Sequence, residues 1–202
     1  MPKRHTAILI VFAIFLASIG GAYDAPAEGL VQFLDKTTAV TVTRMTVPMV
    51  FFREQAGLAA NVRDYVHVGP VEVNRMGERQ YYLWMGVWST IDRQAAGQGP
   101  LRDTYRKVVI TANDRPMEFE IYSEDPDALG TSESIYPRPG PGARNVFSRV
   151  TVEELRTMHE ADYLYVSLGE SDSDTNLYRM WKYDAESLAN FITYVQGGTP
   201  GT

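Results

Sequence analysis

Alternating apolar and polar residues run through most of the chain from residue 40 onward, and this period of two predicts β-strands. Val40 and Val42 alternate with threonines, but from Met45 the apolar positions shift by one residue. Because successive strand side chains point to opposite faces, this change of parity predicts a bulge or a bend. Pro48 predicts a break or a sheet-edge position at the same place.

The longest alternating stretch, residues 64–91, predicts a long hairpin. Its first strand changes parity across Gly69-Pro70, which we interpret as a second bulge. Residues 74–78 have the polar and glycine positions of a turn. The return strand, residues 79–91, is apolar on both faces, so we expect it to lie centrally and to be covered on both sides.

A second hairpin and a long irregular segment are predicted after residue 106. The strands of this hairpin are residues 107–112 and 117–122, and the second strand alternates apolar residues with glutamates on a solvated face. Residues 124–145 contain four prolines and three glycines. This composition predicts an exposed loop, with one short helical turn near Ala128.

The last third of the chain predicts two strands and two amphipathic helices. Thr151 and Glu154 form a capping-box pattern ahead of a helix over residues 152–161. Strands are expected at residues 163–168 and 177–183. The second helix follows an aspartate N-cap, ends at a pair of glycines, and has these apolar residues at helical spacing: Leu188, Phe191, Ile192 and Val195.

These elements predict a single β-rich domain over residues 30–198. Six or seven strands, mostly joined by hairpins or loops, precede or surround two helices near the C-terminus. We therefore predict an α+β or mainly β fold, an antiparallel β-sandwich-like domain with two amphipathic helices. The alternative is one parallel crossover through the helix that begins at residue 152.

The N-terminal residues 1–22 have the three parts of a secretory signal peptide. Lys3, Arg4 and His5 form a basic head, an unbroken apolar run follows, and small residues precede a predicted cut after Ala22. A second cleavage pattern, at residues 25–27, lies far from the apolar run and contains a proline. We predict export to the periplasm or the medium.

An uncleaved anchor is the rival interpretation of the same segment. Residues 6–22 are at the short limit of the roughly 17–25 residues that span a bilayer as a helix. The domain would then lie on the outer side, because positive residues stay inside. Residues 23–29 are predicted to be a linker and residues 199–202 a frayed tail.

Composition excludes several classes of protein. The chain has no cysteine, which excludes a disulfide framework, a thiol nucleophile and a cysteine-bound zinc. Its formal net charge of −6 argues against nucleic acid or an anionic membrane as the partner. We expect membrane contact only through the N-terminal segment, if that segment is not cleaved.

A partial calcium-loop pattern occurs at Asp172, Asp174 and Asn176. Oxygen-bearing residues at alternate positions match the first three ligands of a calcium loop. The match then fails, because Leu177 stands where the loop needs glycine and Tyr183 where it needs glutamate. Ca²⁺ binding completed from elsewhere in the fold is one interpretation, and a polar hairpin turn is the other.

An aromatic stripe on the return strand is a candidate ligand-binding surface. Tyr82, Trp84 and Trp88 share one face, and Gly86 between them would let a ligand approach the backbone. Aromatic faces in a row suit a glycan or a planar small molecule. The alternative is a second buried face packed under a helix.

The Pro-rich segment is a candidate partner-binding loop. Pro137, Pro139 and Pro141 alternate with Arg138 and a glycine, which stiffens the segment toward an extended form. Such a loop loses little entropy when a partner binds. The alternative is a solvated connection.

Catalytic patterns are weak. His67 and His159 have no zinc-ligand spacing, and Glu118 and Glu120 share a strand face as a glycosidase pair would, or as ordinary solvated residues. We therefore predict a non-enzymatic envelope protein, without a cofactor, that binds another protein or a cell-surface component. The alternatives are a glycan- or small-molecule-binding module, and a hydrolase whose site is assembled from distant residues.

Overall fold

A computed structural model of the chain describes residues 28–55, 62–91, 107–140, 142–168 and 177–197. Ten strands lie in this part of the chain: β1 (Leu30–Asp35), β2 (Val40–Met45), β3 (Met49–Glu54), β4 (Arg63–Arg75), β5 (Glu78–Ser89), β6 (Lys107–Ala112), β7 (Arg115–Ser123), β8 (Arg144–Arg149), β9 (Leu164–Leu168) and β10 (Leu177–Lys182). Two α-helices accompany them, α1 (Val152–His159) and α2 (Ala185–Val195), with a short 3₁₀ helix at Pro126–Leu129.

Eight of the strands form a closed antiparallel barrel. The ring runs β4–β3–β10–β9–β6–β7–β8–β5, and the pairing of β4 with β5 closes it. The hairpin β1–β2 lies outside this count: β2 pairs with the second half of β4, along the edge that β3 uses in the first half. Every pairing among the described strands is antiparallel, so the parallel crossover considered from the sequence is wrong.

The predicted β-sandwich is therefore wrong, although the mainly β content and the two C-terminal helices are correct. A sandwich and a barrel share the same local signals, namely alternating strands joined by hairpins. Closure depends on long-range pairings, such as β5 with β8 and β3 with β10, that no local pattern specifies. A closed ring leaves no free edge along its own strands.

Apolar side chains fill the barrel. Together with both helices they form one core, whose barrel-lining members include Met49, Phe51, Val66, Val68, Leu83, Met85, Val87, Val108, Ile110, Phe119, Val146 and Val166. From α1, Leu155 and Met158 join this core, and from α2, Leu188 and Phe191 do so. The two helices pack at the barrel end where β8 and β10 finish.

The helix ends follow the sequence signals. The Thr151 hydroxyl accepts a hydrogen bond from the Glu154 amide at 3.2 Å, while the Glu154 carboxylate accepts one from the Thr151 amide at 2.7 Å. This reciprocal pair is the predicted capping box. Asp184 caps α2 by accepting from the Ser187 amide at 3.0 Å. None of the helices in the described residues is long and apolar enough to cross a bilayer.

The parity change in β4 is not a bulge. From Asp64 to Arg75 every residue of β4 pairs with β5 in one continuous register. Val66 and Val68 face the barrel interior, whereas Val71 and Val73 face outward into a second apolar cluster on the outer wall. The change of parity therefore marks the place where the buried face of the strand switches from the inside to the outside.

The break at Pro48 is confirmed, whereas the first strand was not predicted. Residues 46–48 do break the strand between β2 and β3, as Pro48 predicted. β1 was not predicted as a strand. In it, Leu34 is 56 % exposed and Asp35 is fully buried, so an apolar residue faces solvent and an acidic residue faces the interior. The predicted signal peptide, the linker residues before position 28 and the tail at residues 199–202 lie outside the described residues.

Glu72 is a buried carboxylate of the barrel wall, as is Asp64, which Arg53 and Gln55 contact. Glu72 is 1 % exposed and lies opposite Tyr81 in the β4–β5 ladder. Burial raises its pKa above the ordinary value of 4.5, and the Arg79 guanidinium, 3.3 Å away, opposes this only in part. Ionised Glu72 therefore destabilises the native state relative to its protonated form.

We expect the substitution Glu72→Gln to flatten the pH dependence of stability. Because the native pKa of Glu72 is raised, its favourable contribution is complete below about pH 4.5 and is lost as pH rises through the native pKa. Urea unfolding between pH 4 and 8 should show the wild type losing stability relative to Glu72→Gln as pH rises. Parallel pH profiles for the two proteins would contradict this assignment.

Candidate functional site

The predicted aromatic stripe is largely covered. Tyr82 and Trp84 lie on the outer face of β5, yet each is only 1 % exposed. The Trp84 ring stacks on Tyr136 with centroids 4.4 Å apart, and its indole N–H donates to Asn145 Oδ1 at 3.2 Å. These two residues therefore do not form an open platform in this conformation. The Pro-rich loop covers Trp84 through Tyr136, whereas Tyr122 and Arg149 lie against Tyr82; the helix considered from the sequence is not the cover.

Tyr136 fixes the loop to the barrel. Its hydroxyl donates to the carbonyl of Pro70 at 3.1 Å, and burial raises its pKa, so the hydroxyl stays protonated. The Arg44 guanidinium lies 4.8 Å from the ring centroid. Gly69 provides the space, because a Cβ at that position would overlap the Tyr136 hydroxyl. Gly69 thus makes room for the Tyr136 side chain and Pro70 accepts its hydrogen bond, and we call this pair the seat of Tyr136.

We call residues 131–140 of this loop the strap. The buried carboxylate of Asp35 holds the N-terminal end of the strap. Asp35 accepts from the Ser132 hydroxyl at 2.9 Å and from the Thr37 amide at 2.9 Å. Burial alone would raise the pKa of Asp35, but the hydrogen bonds from Ser132, Thr37 and Thr38 hold it below its ordinary value of 3.8. The strap is consequently tied to the end of β1.

The far end of the strap packs over the predicted ligand-approach glycine. Space beside Gly86 is filled by the Trp84 ring and by Pro139, and Gly140 lies against the Trp88 ring. Of the predicted partner-loop residues that the structure describes, Pro137 and Arg138 are exposed and Pro139 is half-buried. The expectation of an exposed excursion holds for half of the strap, whereas Thr131, Ile135 and Tyr136 are buried, as is Leu129 just before it. Pro141 lies outside the described residues.

A row of aromatic residues continues from the end of the strap; Tyr65 in its middle is only 6 % exposed, and Phe52 and Trp88 are half-buried. Phe52, Tyr65 and Trp88 lie directly opposite one another on β3, β4 and β5, and we call them the outer aromatic row. Tyr65 and Trp88 stack with centroids 4.9 Å apart and planes 15° apart. Trp181 from β10 adds a fourth ring, 5.3 Å from Tyr65 and 6.0 Å from Phe52.

A β-bulge aims Trp181 at this row. The β10–β3 register shifts between Met180 and Lys182, so Trp181 is the extra residue between two paired positions. Bulges reorient side chains and often lie beside functional sites. Trp181 is 59 % exposed although it packs on two rings. Sequence reasoning missed Trp181; its position between two cations, Arg179 and Lys182, is the signal that could have found it.

His67 supports the outer aromatic row. The Trp88 indole donates to His67 Nε2 at 3.1 Å, and burial lowers the His67 pKa to about 4. The imidazole is therefore neutral at physiological pH and uses that nitrogen to orient Trp88. His159 lies on α1. Within the described ranges, no three His, Asp or Glu residues gather closely enough to bind a metal.

The other candidate residues are accounted for or not described. Glu118 on β7 forms an ion pair with Lys107 at 3.3 Å, and Glu120 lies exposed across from Lys107 in the ladder. This cross-strand pairing agrees with the interpretation of the two glutamates as ordinary residues of a solvated strand face. The predicted calcium ligands Asp172, Asp174 and Asn176 lie outside the described residues.

Two surface cavities lie at the start of β5. One, of about 380 Å³, has Arg75, Glu78, Asp127 and Arg149 in its lining, and the other, of about 440 Å³, shares Arg149. Arg149 lies over the Tyr122 ring, 4.7 Å from its centroid. Side chains of both charge signs line each cavity.

Comparison of the chain with protein-family models, with curated proteins and with solved structures finds no match.

Truncation of Tyr136 should release the strap. Tyr136→Ala removes a buried aromatic side chain and should lower the free energy of unfolding by about 3–5 kcal/mol. Tyr136→Phe loses only the hydrogen bond to Pro70 and should cost about 1 kcal/mol. Chemical denaturation measures both. Equal losses for the two variants would show that the ring itself contributes little.

A methyl group at position 69 should act through Tyr136. Gly69→Ala should destabilise the protein by about 1–3 kcal/mol, because the new Cβ overlaps the tyrosine side chain. In a Tyr136→Ala background the same substitution should cost much less, since its steric partner is gone. A double-mutant cycle of unfolding free energies measures this coupling, and additive effects would contradict the proposed seat.

Proposed function

We propose that the chain is an exported, non-enzymatic binding module that holds a cell-surface component against the open part of its outer wall. The single observation that carries this proposal is the exposed Trp181, aimed by a bulge onto an already ordered aromatic row. The basic, apolar and small-residue pattern of the N-terminal segment supports an extracytoplasmic address.

The packed barrel supports an external site. Its interior is occupied by the side chains of the main core, in contrast to barrels that hold a ligand in a central cavity. A partner of this part of the chain has to bind the outer surface. The part of that surface around Trp84 is already covered by the strap, and Trp181 lies in a part that is exposed.

The fixed positions of the rings in the outer aromatic row favour binding. Tyr65 lies between Trp181 and Trp88, and His67 orients Trp88 by a hydrogen bond. Rings that are already fixed lose little conformational entropy when a partner covers them. Large exposed aromatic residues with this support are the usual anchors of binding surfaces.

Substitution of Trp181 should remove binding without unfolding the protein. Labelled chain is incubated with envelope preparations from the organism that encodes it, and the bound fraction is measured against concentration. Trp181→Ala should weaken binding by about 2 kcal/mol, roughly thirtyfold, as expected for an aromatic anchor.

Met76→Ala is the matched control for this experiment. Met76 is 99 % exposed on the turn between β4 and β5, so its loss should leave binding unchanged. Thermal unfolding should confirm that both variants are folded. Wild-type affinity in folded Trp181→Ala would refute the proposed site.

A further inference from the structure

The surroundings of Trp181 are cationic. Arg179 lies opposite Phe52 in the β10–β3 ladder, and Lys182 lies opposite Val50, which places both on the outer face beside Trp181. Both residues are exposed. Arg63 adds a third cation, 5.5 Å from the Phe52 ring centroid, and its charge is partly balanced by Glu54 at 3.4 Å. We call this group, with Trp181 and Phe52, the Trp181 patch.

The charge of the patch contrasts with that of the whole molecule. The chain has a formal net charge of −6, yet three cations, Arg179, Lys182 and Arg63, lie around one exposed indole. Among the described residues, Glu54 pairs with Arg63 and Asp184 interacts with Lys182, so the cations outnumber these carboxylates. A local positive field on an acidic protein attracts an anionic ligand and orients it as it approaches. Charge complementarity thus indicates an acidic ligand.

The strand pairing of the wall argues against a peptide ligand that adds to the sheet as a β-strand. From Leu177 to Arg179 β10 is paired with β9, its other edge is paired with β3, and β3 is paired with β10 and β4. Within the described strands, only the last three residues of β10 have no partner on β9. An extended peptide cannot add as a strand where both edges are already paired. What the patch offers instead is one exposed aromatic face flanked by cations.

An anionic saccharide matches these two features together. The C–H-bearing face of a sugar ring packs on an aromatic face, whose π-system is electron-rich. Carboxylate or sulfate groups at the ring edge would then reach the guanidinium of Arg179 and the ammonium of Lys182, where charge-assisted hydrogen bonds form.

We propose that the Trp181 patch binds an acidic polysaccharide, with a sugar ring stacked on Trp181 and its anionic groups paired with Arg179 and Lys182. This inference rests on the proposed function, since it names the ligand class of the same surface. It also reconciles an acidic protein with an acidic ligand, because the patch is a local reversal of the net charge.

The test uses defined oligosaccharides and the full chain. Titration calorimetry compares hyaluronan, oligomannuronate and heparin hexasaccharides with neutral maltohexaose, at 20 mM and 150 mM NaCl, and with poly-L-glutamate as an acidic polypeptide. At least one acidic saccharide should bind about tenfold or more tightly than maltohexaose, a gap of about 1.4 kcal/mol. Its affinity should fall as salt rises.

Charge variants locate the binding site. Arg179→Ala and Lys182→Ala should each weaken acidic saccharide binding about tenfold and reduce its salt dependence, whereas maltohexaose binding should not change. Arg115→Ala is the matched control, because Arg115 is an exposed arginine of β7 that is far from β3 and β10 around the ring. Equal losses for Arg115→Ala would contradict a local site.

The outcomes separate this inference from the proposed function. Equal affinity for poly-L-glutamate, or no binding of any acidic saccharide, overturns the saccharide assignment. If Trp181→Ala still abolishes envelope binding in that case, the binding surface stands with a different ligand. If Trp181→Ala leaves envelope binding intact, the proposed function itself fails.

Discussion

The seat of Tyr136 on Gly69 is the contact on which the outer wall of this barrel depends. A glycine in the middle of a long strand leaves room for a phenol ring, and the ring then stacks on Trp84 and donates a hydrogen bond to Pro70. Without that seat the strap would lose its central anchor, and a row of apolar residues on β2, β4, β5 and β8 would face water.

The strap divides the outer wall into a covered part and an open part. Its covered part is a second core, closed by hydrogen bonds to Asp35 at one end and by Gly140 against Trp88 at the other. Beyond Trp88 the aromatic rings continue without that cover and end at Trp181. A protein whose barrel is filled with side chains has only such outer surfaces to offer a partner, which is why the candidate site lies there.

Local physics predicted most of the elements but not their assembly. The capping box at Thr151, the break at Pro48 and the hairpin turn after Asn74 are short-range effects, and the structure confirms them. Closure of the barrel and the fold of the strap across β5 are long-range events. The valines of β4 show the difference: their parity change was visible in the sequence, but its cause, a cover on the outside, was not.

The candidate site shows the same limit, since Trp88 could be predicted from its strand whereas Trp181 needed the bulge and the β10–β3 pairing. Hydroxyl-radical footprinting of the free and envelope-bound chain tests the account most directly, because it reports the exposure of each tryptophan. The account predicts strong oxidation of Trp181 in the free chain, protection of Trp181 on the envelope, and low oxidation of Trp84 in both states. Reactive Trp84 in the free chain, or Trp181 equally reactive in both states, would contradict it.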